Sequence, residues 1–199
     1  AFATGGHTVN GDLNLKSGTT LEDDGYTWDA STNTLTMQDL TVMGNINLPN
    51  AECTINVKGN CSVGEIRRDD SGAAQAVTIE GETGAVLNSS VSVPGSLTLD
   101  SIVLTGDRIW NSNTNPGYIL KVENSNITLH HQLMWMTADG MELINSSFKL
   151  DSNTDSGQFW VQKIAMDKNS IVESYRPMQN YGHFTPNDLG EVNNYIAEP

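Results

Sequence analysis

The sequence is poor in positive charge: ten Lys and Arg stand against 24 Asp and Glu, giving a formal net charge of −14 over 199 residues. Neutralising phosphates takes a basic surface, so this balance argues against nucleic acid as a partner and leaves cations, basic surfaces and neutral glycans open. No apolar stretch approaches the roughly 18 residues of a spanning helix, so no membrane span is expected. Cysteine is almost absent. Cys53 and Cys61 are too few to close a zinc site, and no histidine has the spacing to complete one. A strand and a bend between them keep them from a disulfide. Both share the inward parity of their apolar neighbours, which suits two buried thiols. Hydrophobic residues make up 37% of the chain, enough for a thin column of core side chains.

What the chain does have is a period. The couplets Leu35/Met37, Ile55/Val57, Val77/Ile79, Leu97/Leu99, Leu120/Val122, Met141/Leu143 and Ile164/Met166 recur at intervals of 20 to 23 residues, the signature of stacked repeats. Residues i and i+2 of a strand share a face, so each couplet predicts a short strand with one buried side. Turn-prone residues follow two positions later at Asp39, Gly59, Gly81, Ser101, Asn124 and Asn145, with Asn169 one position late. A second apolar pair comes next: Leu40/Val42, Cys61/Val63, Ala85/Leu87, Ile102/Leu104, Ile127/Leu129 and Phe148/Leu150. Twenty-odd residues cannot hold two strands and a crossover helix, but they suffice for one turn of a coil of short strands. A leucine-rich repeat is excluded. Its Asn stands three residues after the last Leu, whereas Asn124 and Asn145 follow Val122 and Leu143 by two, and the Thr-, Ser-, Asn- and Gly-rich returns disfavour helix. The fold expected is all-β: a single-domain, right-handed parallel β-helix of seven to eight coils.

A stack of coils needs covered ends. Residues 1–34 are expected to form an N-terminal half-coil and hairpin cap. Thr8-Val9-Asn10-Gly11-Asp12-Leu13-Asn14-Leu15 matches Thr41-Val42-Met43-Gly44-Asn45-Ile46-Asn47-Leu48 in character, and Tyr26-Thr27-Trp28-Asp29 faces Thr34-Leu35-Thr36-Met37 across a polar turn. Trp28 is expected to cover the first rung. Residues 35–172 hold the coils, and residues 173–199 a cap or tail. There Thr185-Pro186-Asn187-Asp188 has the form of a helix start, with Leu189, Val192 and Ile196 on one face, predicting a short capping helix near 186–196. A linker to a further domain is the alternative. Ala1 to Gly6 lack charged and apolar signal regions and read as the start of a mature or a trimmed chain.

The segment Trp28-Asp29-Ala30-Ser31-Thr32-Asn33-Thr34-Leu35-Thr36-Met37 and coils such as Leu120-Lys121-Val122-Glu123-Asn124-Ser125-Asn126-Ile127-Thr128-Leu129 resemble secreted β-helix domains of the pectate-lyase-like superfamily, as found in surface proteins of gut and other host-associated bacteria. The resemblance covers most of residues 8–172. It implies an extracellular or cell-surface location and either polysaccharide-active enzymes or adhesins and binding modules. The catalytic hallmarks of that group are missing. Arg67-Arg68-Asp69-Asp70 has no N-T-D, G-H-G or R-I-K segment around it, and Arg176-Pro177 lacks the flanking arginines of R-x-P-x-x-R.

Four features remain as site candidates. Asp69 and Asp70 are a carboxylate pair of the kind glycoside hydrolysis uses, or a solvated loop paired with its arginines. Glu80, Asp100 and Glu123 fall in one outward column with Lys58, on rungs about 4.8 Å apart. Hard oxygen ligands at that spacing suit calcium, or else form a screened ladder with Lys121 and Glu142 beside it. Trp110 and Trp135 each lie six residues past Leu104 and Leu129. That offset puts both at one lateral position, as an exposed carbohydrate platform favoured by nearby Arg108 or as part of the core; Trp160 falls off this spacing. His7, His130, His131 and His183 read as turn residues. The leading expectation is a non-catalytic module for adhesion or carbohydrate binding, partnered by a glycan or a host or cell-surface protein. A carbohydrate-active enzyme and a structural spacer are the alternatives.

Overall fold

The computed structural model describes residues 6–68, 74–152, 156–176, 178–179, 184–186 and 191–194. These residues wind into an all-β parallel solenoid of about six turns. Its first face stacks Thr34–Gln38, Cys53–Lys58, Val77–Gly81, Leu97–Asp100, Leu120–Glu123, Met141–Ile144, Ile164–Met166 and Phe184–Pro186, each parallel to the next. The couplets recognised in the sequence supply the inward residues of this face. Leu35 pairs with Ile55, Ile55 with Ile79, Ile79 with Leu99, Leu99 with Val122 and Val122 with Leu143, and none of these side chains is reached by solvent.

The chain leaves the first face through a sharp bend, and the turn-prone residues explain how. Asp39, Ser101, Asn124 and Asn145 take φ of 47°, 54°, 46° and 47°, and Gly59 takes 66°, the left-handed region that Asn, Asp and Gly enter at least cost. Just inside the bend, Ser125, Ser146 and Ser170 are buried and stitch coil to coil. The amide N–H of Ser125 donates to Ser146 Oγ at 3.1 Å, and that of Ser146 to Ser170 Oγ at 3.1 Å. The Ser125 and Ser146 hydroxyls in turn donate to the carbonyls of Glu123 and Ile144 at 2.6 and 2.8 Å. Buried polar groups persist only when satisfied in this way.

Beyond the bend a second face runs through Leu40–Val42, Asn60–Arg67, Val86–Ser92, Val103–Asn111, Asn126–Trp135, Ser147–Leu150, Ile171–Ser174 and Glu191–Asn194. Four of these strands are long enough to fold over a corner and continue as a third face, which Leu13–Asn14, Ile46–Asn47, Gln158–Val161 and Met178–Gln179 complete. The inward column of the second face is Cys61, Leu87, Leu104, Ile127, Phe148 and Val172. Cys61 and Cys53 are free, buried thiols. Burial raises the pKa of both, so they behave as small hydrophobes.

The amino end is closed as expected. Thr8 and Val9 pair with Thr41 and Val42, and Leu13 and Asn14 with Ile46 and Asn47. Tyr26–Asp29 lies antiparallel to Thr34–Gln38 with Trp28 opposite Leu35, and Leu21–Asp23 adds an outer antiparallel strand. Trp28 is 1% exposed. The acidic pair Glu22 and Asp23 sits on that short outer strand, a charged edge that discourages further pairing.

The helix expected near 186–196 is not found where the chain is described: no helix occurs among the described residues, and residues 184–186 and 191–194 are strands of the ladder. Phe184–Pro186 pairs with Ile164–Met166 and Glu191–Asn194 with Ile171–Ser174, both parallel. The capping signals of Thr185-Pro186 are local, and Pro186 stands as the last residue of its strand. Another coil's worth of backbone bonds to the preceding rung outweighs a helix already weakened by Gly190.

Two predictions follow from this register. Leu104 is fully buried and its neighbour Val103 is 39% exposed, so Leu104→Ala should lower unfolding stability by about 2–5 kcal/mol and Val103→Ala by no more than about 0.5 kcal/mol, read by denaturant unfolding. The Asp167 carboxylate accepts from the Ser170 hydroxyl at 2.6 Å and from the N–H groups of Asn145 and Asn169 at 3.1 and 3.2 Å. These bonds, that of Ser170 foremost, hold its pKa below the ordinary carboxylate value. A depressed folded-state pKa stabilises above the unfolded value and is lost as pH falls through the folded one. Asp167→Asn should therefore cost stability at neutral pH, with the deficit vanishing in strong acid, as denaturation midpoints across that range will report.

Candidate functional site

The acidic column lies on the first face. Glu80 pairs with Asp100 and Asp100 with Glu123, on adjacent rungs as expected. Asn56, not Lys58, stands opposite Glu80. The run Cys53-Thr54-Ile55-Asn56-Val57 carries three inward residues, and the ladder aligns the first two of them with Val77 and Ile79, shifting Lys58 along by two. Lys58 instead reaches Glu82 at 3.1 Å. Together Asn56, Lys58, Glu80, Glu82, Asp100 and Ser101 line an open recess of about 320 Å3. Lys121 binds Glu123 at 2.6 Å. The hydrogen bond and charge of Glu123 raise the Lys121 pKa, with Glu142 and Asp100 adding to the effect, so the lysine keeps its proton. Asp100 accepts from the Ser101 hydroxyl at 2.8 Å. No group of three or more His, Cys, Asp or Glu side chains suited to holding a metal ion occurs among the described residues. Within the column Lys121 offsets Glu123, while Lys58 offsets the neighbouring Glu82.

The tryptophans do not share the lateral position that their equal offsets predict, and Trp135 takes the core alternative. On Asn126–Trp135, three steps from Leu129 to Gln132 stand opposite two steps from Gly106 to Arg108, so this strand carries one extra residue at the corner, a bulge formed at His130 and His131. Alternation carries through Asn126–Trp135, where Ile127, Leu129, Leu133 and Trp135 are all buried, and switches instead on Val103–Asn111, where Leu104 and then Ile109 and Asn111 are buried. Trp110 accordingly pairs with Met134, and Trp135 with Asn111. Trp135 is fully buried, its indole N–H donating to the Tyr118 carbonyl at 3.4 Å. It belongs to the core and is no carbohydrate platform.

The residue that does share the outward column with Trp110 is Trp160. Ser92, Trp110, Met134 and Trp160 succeed one another on the third face, with Trp110 and Trp160 both half-buried. Two rungs separate them, about 10 Å along the axis. Beside this column runs a polar one. Arg108 pairs with Gln132 and Gln132 with Gln158, and Gln132 Nε2 donates to Gln158 Oε1 at 2.9 Å. The Arg108 guanidinium lies 5.5 Å from the centroid of the Trp110 ring, a cation–π distance. Its Nη2 and Nε are 2.9 and 3.0 Å from Glu65 Oε2. Ser90 occupies the rung between Glu65 and Arg108, and its short side chain lets the bridge pass over it. Trp160 enters this column through the pairing of Gln158–Val161 with the end of Asn126–Trp135, and its spacing in the sequence differs from that of Trp110 because a separate connection, 151–157, joins Ser147–Leu150 to its strand.

Asp69 and Asp70 lie outside the described residues, as does His183. The arginines before them part company: Arg67 donates to Asn47 Oδ1 at 2.8 Å on the outer surface, whereas Arg68 turns inward and is 4% exposed. Its guanidinium is held by the carbonyls of Pro49, at 2.9 Å, Ala51 and Gln75. Arg68 is a staple for the corner loops rather than a cation offered to solvent. Comparison of the chain with protein-family models, curated proteins and solved structures found no match.

Removing the two indoles separates their roles. Trp135→Ala should cost about 3–5 kcal/mol of unfolding stability, and Trp110→Ala about 1 kcal/mol or less, mostly its contact with Arg108. Equal losses in denaturant titrations would contradict the assigned faces.

Proposed function

We propose that this chain is a non-catalytic β-helix module of a bacterial surface or secreted protein, related to the pectate-lyase-like superfamily, that binds carbohydrate on a cell surface or in its surroundings. The observation that carries this reading is the third-face column, in which Trp110 and Trp160 are set in register beside Gln132 and Gln158. Ring faces attract the positively polarised C–H groups of a sugar, and amides supply both donors and acceptors for its hydroxyls. A solenoid wall holds such side chains on a rigid ladder, which lowers the ordering cost of binding. The acidic surface adds to the reading by disfavouring nucleic acid.

The test is a glycan array probed with the intact chain and with Trp110→Ala. Binding by the intact chain, and at least about tenfold weaker binding by the variant, is the expected result. An array without a single bound glycan would sink the proposal in favour of a spacer. Products released from polysaccharide during the assay would replace it with an enzyme.

A further inference from the structure

Within the carbohydrate reading, on which this inference rests, we infer that the third-face column takes a linear, uncharged polysaccharide laid along the solenoid axis, with Trp110 and Trp160 contacting two separated sugar units and Gln132 and Gln158 the hydroxyls between. The direction follows from the ladder. Strands cross the axis, so a ligand aligned with a strand meets one indole of this column at most. Only a ligand running from rung to rung meets both, in the order Trp110, Met134, Trp160. Those contacts span about 10 Å, more than one sugar ring covers, so the ligand must be an extended chain of several units.

Its lack of charge follows from how the cations are engaged. Arg108, the cation nearest Trp110, already binds Glu65 through two nitrogens and lies over the indole. Arg67, further along the same face, donates to Asn47. A polyanion would have to displace Glu65 and approach a chain of formal net charge −14, against the field of the whole protein. Gln132 and Gln158 are neutral. Gln132 is 8% exposed and gives one N–H to Gln158, leaving the half-buried Gln158 amide as the main source of further donors and acceptors for neutral hydroxyls.

Isothermal titration with cellobiose, cellohexaose, mannohexaose, xylohexaose and hexagalacturonate tests this, using the full chain and the variants Trp110→Ala, Trp110→Phe and Trp160→Ala. At least one neutral hexasaccharide should bind about tenfold or more tightly than the disaccharide, because the second indole contact becomes intramolecular. Either alanine variant should bring that hexasaccharide close to disaccharide affinity, and Trp110→Phe should keep part of the gain. Cooperative thermal melts within a few degrees of the parent confirm that the variants are folded. A hexasaccharide bound no better than the disaccharide, tighter binding of hexagalacturonate, or tight binding that survives both alanine changes would overturn the inference while leaving carbohydrate binding standing. No binding of any glycan would remove the carbohydrate reading itself.

Discussion

The parallel ladder's register governs this protein: which residue of one coil stands above which residue of the next. Residues 20 or more apart in sequence become neighbours about 4.8 Å apart along the axis, and one-residue alternation decides whether a neighbour is core or surface. The inward columns from Leu35 to Leu143 and from Cys61 to Val172 are therefore a constraint as much as a hydrophobic reservoir. Shifting one strand by a single residue would drive a row of polar side chains into that core.

Polar groups are managed by the same repetition. Left-handed bends at Asp39, Ser101, Asn124 and Asn145 turn the chain at one corner, and the Asn145 side-chain Nδ2 donates to Asn124 Oδ1 at 2.9 Å along the stack. Ser125, Ser146 and Ser170 satisfy the amides just inside it. On the outer walls, Lys121 against Glu123 and Lys58 against Glu82 temper the acidic first face, while on the third face Arg108 pairs with Glu65. The two walls thus differ in chemistry although one repeat generates both.

Most of the fold was legible because its signals are local and repeated: couplets at an even interval, bend residues two positions beyond, a half-coil echo in Thr8 to Leu15, and a hairpin around Trp28. Lateral position was not. The couplet Ile55/Val57 is the tail of a three-residue inward run, so Lys58 was assigned to a column that Asn56 occupies. The extra residue at His130-His131 has no composition of its own, yet it sets Met134 rather than Trp135 beside Trp110, with Trp160 next in line. Bulges are set by how a corner closes around its neighbours, which depends on the coils above and below. The C-terminal strands eluded the reading for a related reason: Thr185-Pro186 carries helix-start chemistry, and only the waiting ladder edges at Ile164–Met166 and Ile171–Ser174 make strand the better choice.

The third-face column depends on the register between Val103–Asn111 and Asn126–Trp135 and on the face each tryptophan takes. The most direct measurement is a set of backbone and side-chain nuclear Overhauser contacts in the isotopically labelled chain. Cross-peaks that pair Trp110 with Met134 and Met134 with Trp160, with the Trp135 indole connected to core methyl groups, are predicted. Cross-peaks aligning Trp110 with Trp135 as outward neighbours would contradict the register, and with it the third-face column.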